Sequence, residues 1–392
     1  MKKVTFFIFW ACCALTTSAQ QFTVNDIAHA TYRAKGIRGV KPCSDGESYT
    51  QMSDDSKRIV KYSFRTGKEL ETVFDVSTAR ECRFDRFDDY IVSPDDRLIL
   101  IQTETKYMYR RSFTAVYYLF NVKNNKLEPL SEGGPQQVPL FSPDGTQIAF
   151  VRDNNLWLVK LLFGNAESQI TRDGKQHEII NGIPDWVYEE EFEFNRAFDF
   201  SADSKMIAYI RFDESQVPMY RIPYYKGLAP EIEKYRTYPG FYSYKYPLAG
   251  VNNSKVTVHT FDIKSKVDRT LELPSDSDGY IPRIKFTDDP EKLAVMTLNR
   301  QQNRFDLYFA NPRSTLCKLM VREEDAHYVK EAPYAAIRFY PAHFVMMSER
   351  DGYNHLYLYT IGGNLVKQLT KGAWEVIEYI GWDQSRNEFY YI

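Results

Sequence analysis

Several patterns are missing from this sequence, and each absence narrows what the chain can do. A Gly-x-Ser-x-Gly nucleophile elbow, the strand-to-helix turn of many serine hydrolases, does not occur. The nearest string, Gly46-Glu47-Ser48-Tyr49-Thr50, lacks the last glycine and sits in a polar turn region. The six histidines include no His-Glu-x-x-His and no paired spacing suited to zinc. No glycine-rich phosphate loop and no low-complexity segment is present, so no cofactor and no metal is expected. A charge excess is missing too: 50 Lys and Arg stand against 52 Asp and Glu, a formal net charge of -2. Nucleic-acid binders show a basic stripe or a high pI, so that partner class is not expected.

Cysteine is also scarce, with five in the chain, and two of these, Cys12 and Cys13, fall in an N-terminal apolar run. That run reads as the core of a signal peptide covering residues 1–19. Lys2 and Lys3 give its positive start, Val4 to Leu15 its apolar stretch and Thr17-Ser18-Ala19 a small-residue cleavage site. It is shorter than the roughly 20 residues of a membrane span, so an uncleaved anchor fits less well. Phe9-Trp10-Ala11 is too bulky to precede a lipoprotein cysteine. The expected location is therefore exported, periplasmic or secreted. Cys43, Cys82 and Cys317 remain after cleavage. Their odd count and wide spacing specify no disulfide framework, and buried free thiols are expected. Asn252-Asn253-Ser254 is a formal glycosylation sequon, set aside because the leader looks bacterial.

Aromatic residues, by contrast, are abundant, with 29 Tyr and 26 Phe. Such residues suit the pleated, half-buried surface of a sheet. A recurring unit points the same way: an apolar residue, a Ser-Pro-Asp-like turn, then an alternating apolar strand. It is clearest at Val92-Ser93-Pro94-Asp95 before Leu98–Ile101, Phe141-Ser142-Pro143-Asp144-Gly145 before Ile148–Val151, and Phe200-Ser201-Ala202-Asp203 before Met206–Ile210. Weaker copies start at Phe286 and Trp382. Further strands follow, such as Asn155–Val159 and His355–Tyr359, with a closing strand near Gly363–Thr370. Strand and turn repeating every 40 to 60 residues or so is how propeller blades read, and the copies account for about six or seven of them. A string of hairpins in a β-sandwich is the plainer alternative, but it lacks a recurring unit.

Residues 20–40 read as a separate N-terminal segment, with weak helical character from Val24 to Ala34 and Asn25 as its N-cap. The propeller then occupies 41–392. Two stretches break its period, Lys175 to Arg196 and Pro218 to Val251, and long insertions of this kind are usually functional loops. The chain stops at Phe389-Tyr390-Tyr391-Ile392, inside a strand-like stretch, which reads as a fragment.

The most informative segment is Asp185-Trp186-Val187-Tyr188-Glu189-Glu190-Glu191-Phe192. Three consecutive carboxylates repel unless solvent or a cation compensates them, and most such runs are solvated faces. Here aromatic residues flank the run and tether it to something apolar. On a strand, neighbouring side chains point to opposite faces. On a helical turn, adjacent Glu side chains diverge by about 100° and can still reach one point, which suits an ammonium group with three donors.

With Asn181-Gly182-Ile183-Pro184 before it, this segment resembles the double-Glu motif of the dipeptidyl peptidase IV family, serine exopeptidases related to prolyl oligopeptidase. The resemblance implies that Glu190 and Glu191 bind the free N-terminal amine of a peptide. They would then act as a ruler, placing the bond two residues in at the nucleophile. Tyr109-Arg110-Arg111-Ser112-Phe113-Thr114-Ala115 is similar to the family's arginine segment. That likeness gives Arg110 the role of binding a carbonyl of the dipeptide, while Arg111 would point to the opposite face of a strand. Further likenesses run in family order: Gln216-Val217-Pro218, Tyr246–Asn252, Glu349–His355 and Leu369–Ile377. The loop supplying an aromatic wall to the pocket has no clear match between Tyr334 and Tyr340, so Phe339 and Tyr340 stay unassigned, and His355 reads as structural.

The expected architecture is thus an all-β, irregular β-propeller, eight-bladed and incomplete here, with the α/β-hydrolase domain absent from this chain. The implied partners are peptides with a free N-terminus, the hydrolase domain of the same protein and, since many family members dimerise, a second copy. The implied activity is release of X-Pro or X-Ala dipeptides, with a Ser-Asp-His triad outside this chain; the chain alone should be inactive. A non-catalytic periplasmic propeller of TolB-like or WD40-like type is the rival from another class. A second rival is a related exported peptidase of another specificity, an endopeptidase or a tripeptidyl-type enzyme; the endopeptidase is disfavoured, because two carboxylates buried beside an uncharged chain would be costly.

Overall fold

The Ser-Pro-Asp repeat is a turn that locks onto itself. Ser93, Ser142 and Ser201 each donate from Oγ to the Asp two residues on, at 2.7, 2.6 and 2.7 Å. Each also accepts from the amide five residues on, at 2.9, 3.0 and 2.9 Å. The turn's fourth residue has a left-handed backbone, with φ of 58° at Asp96, 68° at Gly145 and 58° at Ser204. Glycine adopts that conformation without steric cost, which accounts for Gly145. Ser53 builds the same turn with Asp55, a further copy that the sequence pattern did not show.

The computed structural model describes residues 22–33, 36, 39–224 and 237–392. Residues 1–19, read from the sequence as a leader and including Cys12 and Cys13, lie outside the described residues. Lys41–Ile392 form one compact unit and the residues before it another. In the latter, helix α1 (Val24–Ala28) is capped by Thr23, not Asn25: Thr23 Oγ1 accepts from the Asp26 amide and the Asp26 carboxylate accepts from the Thr23 amide, a capping box.

In the larger unit each turn joins strands of an antiparallel meander. Four-stranded sheets span 41–75, 89–129, 137–169, 280–324 and 338–368, every strand pairing with its sequence neighbour. A five-stranded sheet lies within 179–270, and Tyr379–Asp383 pairs with Glu388–Tyr391. The fold is an irregular all-β propeller without a closed barrel, and no hydrolase domain is present in this chain. Among the described residues no helix is long and apolar enough to cross a membrane.

Burial corrects one detail of the sequence pattern. The inner strands are not alternately buried: Leu293–Leu298 is buried throughout and Gln147–Arg152 nearly so. Both faces of such a strand pack on neighbouring sheets, so apolar residues run on without alternation. Outermost strands such as Ala166–Gln169 and Leu365–Gln368 are largely exposed. One continuous core joins four consecutive sheets through Leu156, Phe198, Phe212, Phe286, Phe305 and Phe344.

Cys43, Cys82 and Cys317 are free thiols. Burial pushes all three up, Cys317 to about 11, so they stay protonated and unreactive. His355 is fully buried between Thr370 Oγ1 and the Gly372 carbonyl, each at 3.0 Å. Ser48 is buried and donates to Asp45 at 2.6 Å, as a structural serine would.

Candidate functional site

The five-stranded sheet has a broken edge. Ile179–Asn181 and Phe198–Phe200 both pair with Met206–Asp213, the first near its C-terminal end and the second near its N-terminal end. Residues 182–197 leave the sheet between them. Gly182 closes the excursion: its amide donates to the Ile210 carbonyl at 3.0 Å, and its carbonyl accepts from the Ala197 amide at 2.9 Å. Its φ is +77°, and an added Cβ would lie 3.1 Å from Val151 Cγ2 and 3.3 Å from Phe198 Cδ1. Only glycine fits that corner without strain.

Helix α2 (Trp186–Glu191) sits in this excursion. Asp185 caps it, accepting from the Tyr188 amide at 2.9 Å, and also accepts from Ser254 Oγ at 2.5 Å. Burial pushes the Asp185 carboxyl up, and these hydrogen bonds oppose the rise. The helix is oriented by Tyr188 and Phe192, four residues apart on one face. Tyr188 meets Phe212 edge-on at 4.8 Å and accepts from the Ile281 amide at 3.1 Å. With that face inward, Glu189 is buried, Glu190 half-buried and Glu191 exposed. The triple-Glu run is therefore helical.

The arginine segment arrives from the second sheet. Leu98–Tyr107 and Phe113–Asn121 are long paired strands, and residues 108–112 form the loop that joins them. Arg110 donates from Nε to Glu190 Oε1 at 2.6 Å, and its Nη2 lies 2.6 Å from the same oxygen. The structure thus brings Arg110 and Glu190 together. Among the described residues Glu191 carries no ion pair, and no hydrogen bond reaches the second oxygen of Glu190. Arg111 lies in the loop rather than on a strand, so it does not turn to an opposite face. Its Nη2 lies 3.3 Å from Glu193 Oε1, and its Nη1 donates to the Glu189 carbonyl at 3.4 Å.

Sequence reasoning gave no role to Glu189, Asn195 or Tyr242, yet all three hold this loop. Glu189 accepts from the amides of Arg111 and Ser112, Asn195 Nδ2 donates to the Arg111 carbonyl, and Tyr242 Oη donates to the Met108 carbonyl. A faint signal existed for Glu189: it stands three residues before Phe192, on the flank of the buried stripe. Tyr242 lies on an antiparallel hairpin, Met219–Tyr224 with Gly240–Lys245, inside the Tyr-rich insertion; residues 225–236 of that insertion lie outside the described residues. The hairpin stacks Tyr244 on Trp186 at 4.9 Å, and Tyr246 meets the same ring edge-on at 5.0 Å.

Behind α2 lies a small cavity lined by Tyr109, Ser112, Asp185, Glu189, His177 and Glu214 among others. Burial and then the Asp185 charge push Glu214 up to about 7, against the pull of Lys245. His177 Nδ1 is 3.9 Å from Glu214 Oε1, but burial lowers the imidazole, so near neutral pH the contact is not a firm ion pair.

Residues 93–392 match the family model described as the dipeptidyl peptidase IV (DPP IV) N-terminal region. The chain belongs to the dipeptidyl peptidase IV family. The matched stretch holds Arg110 and all of α2. Dipeptidyl peptidase 4 of Trichophyton equinum is 28% identical over 373 residues, which are 92% of this chain and 46% of that protein. A probable dipeptidyl-aminopeptidase B of Emericella nidulans is 33% identical over 73% of this chain and 34% of its own length. The crystal structure of Porphyromonas gingivalis dipeptidyl peptidase 4 superposes with a TM-score of 0.87 at 40% identity, covering 93% of this chain and 51% of that one. A putative dipeptidyl aminopeptidase IV from Bacteroides ovatus, at 22% identity and a TM-score of 0.67, shares the fold. The chain thus spans about half the length of the dipeptidyl peptidases it matches.

Proposed function

We propose that this chain is the substrate-selecting propeller of an exported serine-type dipeptidyl peptidase. Glu190 and Glu191 take the free N-terminal ammonium of a peptide, and Arg110 takes a carbonyl of the bound dipeptide. With the amine fixed, only the bond after the second residue reaches the nucleophile, and Pro or Ala is preferred there. A hydrolase domain of the same protein supplies the triad, and this chain alone cuts nothing.

The arrangement of Arg110 and Glu190 carries this reading. Both guanidinium donors fall on one oxygen, Oε1. The other oxygen of Glu190 and the carboxylate of Glu191 keep their acceptor capacity for an ammonium group, which offers three donors. Arg110 also lowers the cost of keeping neighbouring carboxylates ionised. Its side chain is 68% exposed, so its remaining donors can meet a substrate carbonyl.

The test uses the full-length protein and a chromogenic Xaa-Pro substrate. Glu190→Ala or Glu191→Ala should each remove most of kcat/KM. Unchanged kinetics in either variant would remove that residue from the clamp.

A further inference from the structure

Glu189 is the carboxylate of the run that the amine clamp leaves unused, and it is the most buried, at 1% exposure. A carboxylate so placed is costly unless hydrogen bonds compensate it. Its side chain has no cationic partner among the described residues. Instead Oε1 accepts from two successive main-chain amides, Arg111 at 2.6 Å and Ser112 at 2.8 Å. Two adjacent N–H groups aimed at one oxygen fix the backbone immediately after Arg110.

Other bonds brace the same loop. Asn195 Nδ2 donates to the Arg111 carbonyl at 3.0 Å, and Tyr242 Oη donates to the Met108 carbonyl at 2.9 Å. Arg110 stands between these anchored residues with its own side chain mostly in solvent. Its aim therefore depends on the loop's backbone and not on packing of its side chain.

We propose that Glu189 is a positioning residue that holds the loop 108–112 against α2, so that Arg110 meets Glu190 before a peptide arrives. This rests on the reading of Arg110, Glu190 and Glu191 as the peptide clamp. Acceptance by Oε1, and not charge, is the operative property, because both donors are backbone amides. Glu189→Gln keeps a carbonyl oxygen in that place. Glu189→Ala removes it and leaves two amides without their acceptor.

The experiment compares Glu189→Ala, Glu189→Gln and Asn195→Ala with wild type in the full-length protein. It reads amide hydrogen exchange over 108–112, and KM and kcat on an Xaa-Pro substrate. Glu189→Ala should speed exchange at Arg111 and Ser112 and raise KM by about 10-fold, with kcat changed by less than about threefold. Glu189→Gln should stay close to wild type, and Asn195→Ala should shift both readouts in the same direction by less. Wild-type exchange or KM in Glu189→Ala overturns the proposal, as does equal damage in Glu189→Gln. If Glu189→Ala does not fold, an Asn195→Ala variant with unchanged exchange overturns it. A wild-type protein that cleaves no dipeptidyl substrate defeats the clamp reading, and the exchange arm still decides whether Glu189 tethers the loop.

Discussion

Arg110 brings Nε and Nη2 to 2.6 Å from a single oxygen of Glu190, across 80 residues of sequence. The two side chains come from excursions of different sheets, a loop and helix α2, so their meeting is a product of the fold. The pair is partly exposed, with Arg110 at 68% and Glu190 at 20%. Solvent screening therefore limits what it adds to stability, and its importance should show in substrate recognition.

Arg110→Ala and Glu190→Ala should each lower kcat/KM for an Xaa-Pro substrate by about 10- to 100-fold, the range of a lost charge-assisted hydrogen bond. Both act in one constellation, so the double variant should lose less than the product of the two. Kinetics on the four proteins check this, and strict additivity would contradict a shared role.

The propeller was legible because its turn chemistry is local. Ser93, Ser142 and Ser201 each bond within five residues, and a repeated local pattern can be read from a chain. The copy at Ser53 was harder to read because Lys61 interrupts the apolar run that follows its turn. The meeting of Arg110 with Glu190 was legible only through family motifs, since nothing local pairs the two. The tethers were barely legible, through the flank position of Glu189 alone. Glu189, Asn195 and Tyr242 act on main-chain groups of a distant loop, and backbone partners leave no residue-type signature. Reading Arg111 as a strand residue failed for the same reason, because the loop geometry is set by those distant partners.

Gly182 turns the chain out of the sheet in a conformation that L side chains rarely adopt. Gly182→Ala should destabilise the protein by about 1 to 3 kcal/mol, combining backbone strain with crowding against Val151, Leu156 and Phe198. Urea unfolding measures it. A change below about 0.5 kcal/mol would show that the corner relaxes freely.

Asp185 serves as the cap of α2 and as the acceptor for buried Ser254. Asp185→Ala should cost about 2 kcal/mol, from a lost cap plus an unpaired hydroxyl. Asp185→Asn keeps an acceptor and should cost less. Equal losses in thermal or urea unfolding would contradict the capping role.

Glu214 lends the fold a pH dependence. Its carboxyl is pushed up from 4.5 to about 7 in the folded protein. Its contribution is complete below the unfolded value, and is lost as pH rises through the folded one. Glu214→Gln should thus match wild type near pH 4 and exceed it in stability near pH 8, by on the order of 3 kcal/mol at most. Urea midpoints at the two pH values check this. A difference that does not grow with pH would contradict the assignment.

The central claim is that α2 carboxylates recognise a free peptide amine. The most direct measurement is kcat/KM of the full-length protein for an Xaa-Pro substrate against its N-acetylated counterpart, in wild type and in Glu190→Ala. The account predicts a preference for the free amine of about 100-fold or more in wild type, as expected when buried or paired carboxylates lose their cation. It also predicts collapse of that preference in the variant. Equal cleavage of both substrates, or a preference untouched by Glu190→Ala, would contradict it.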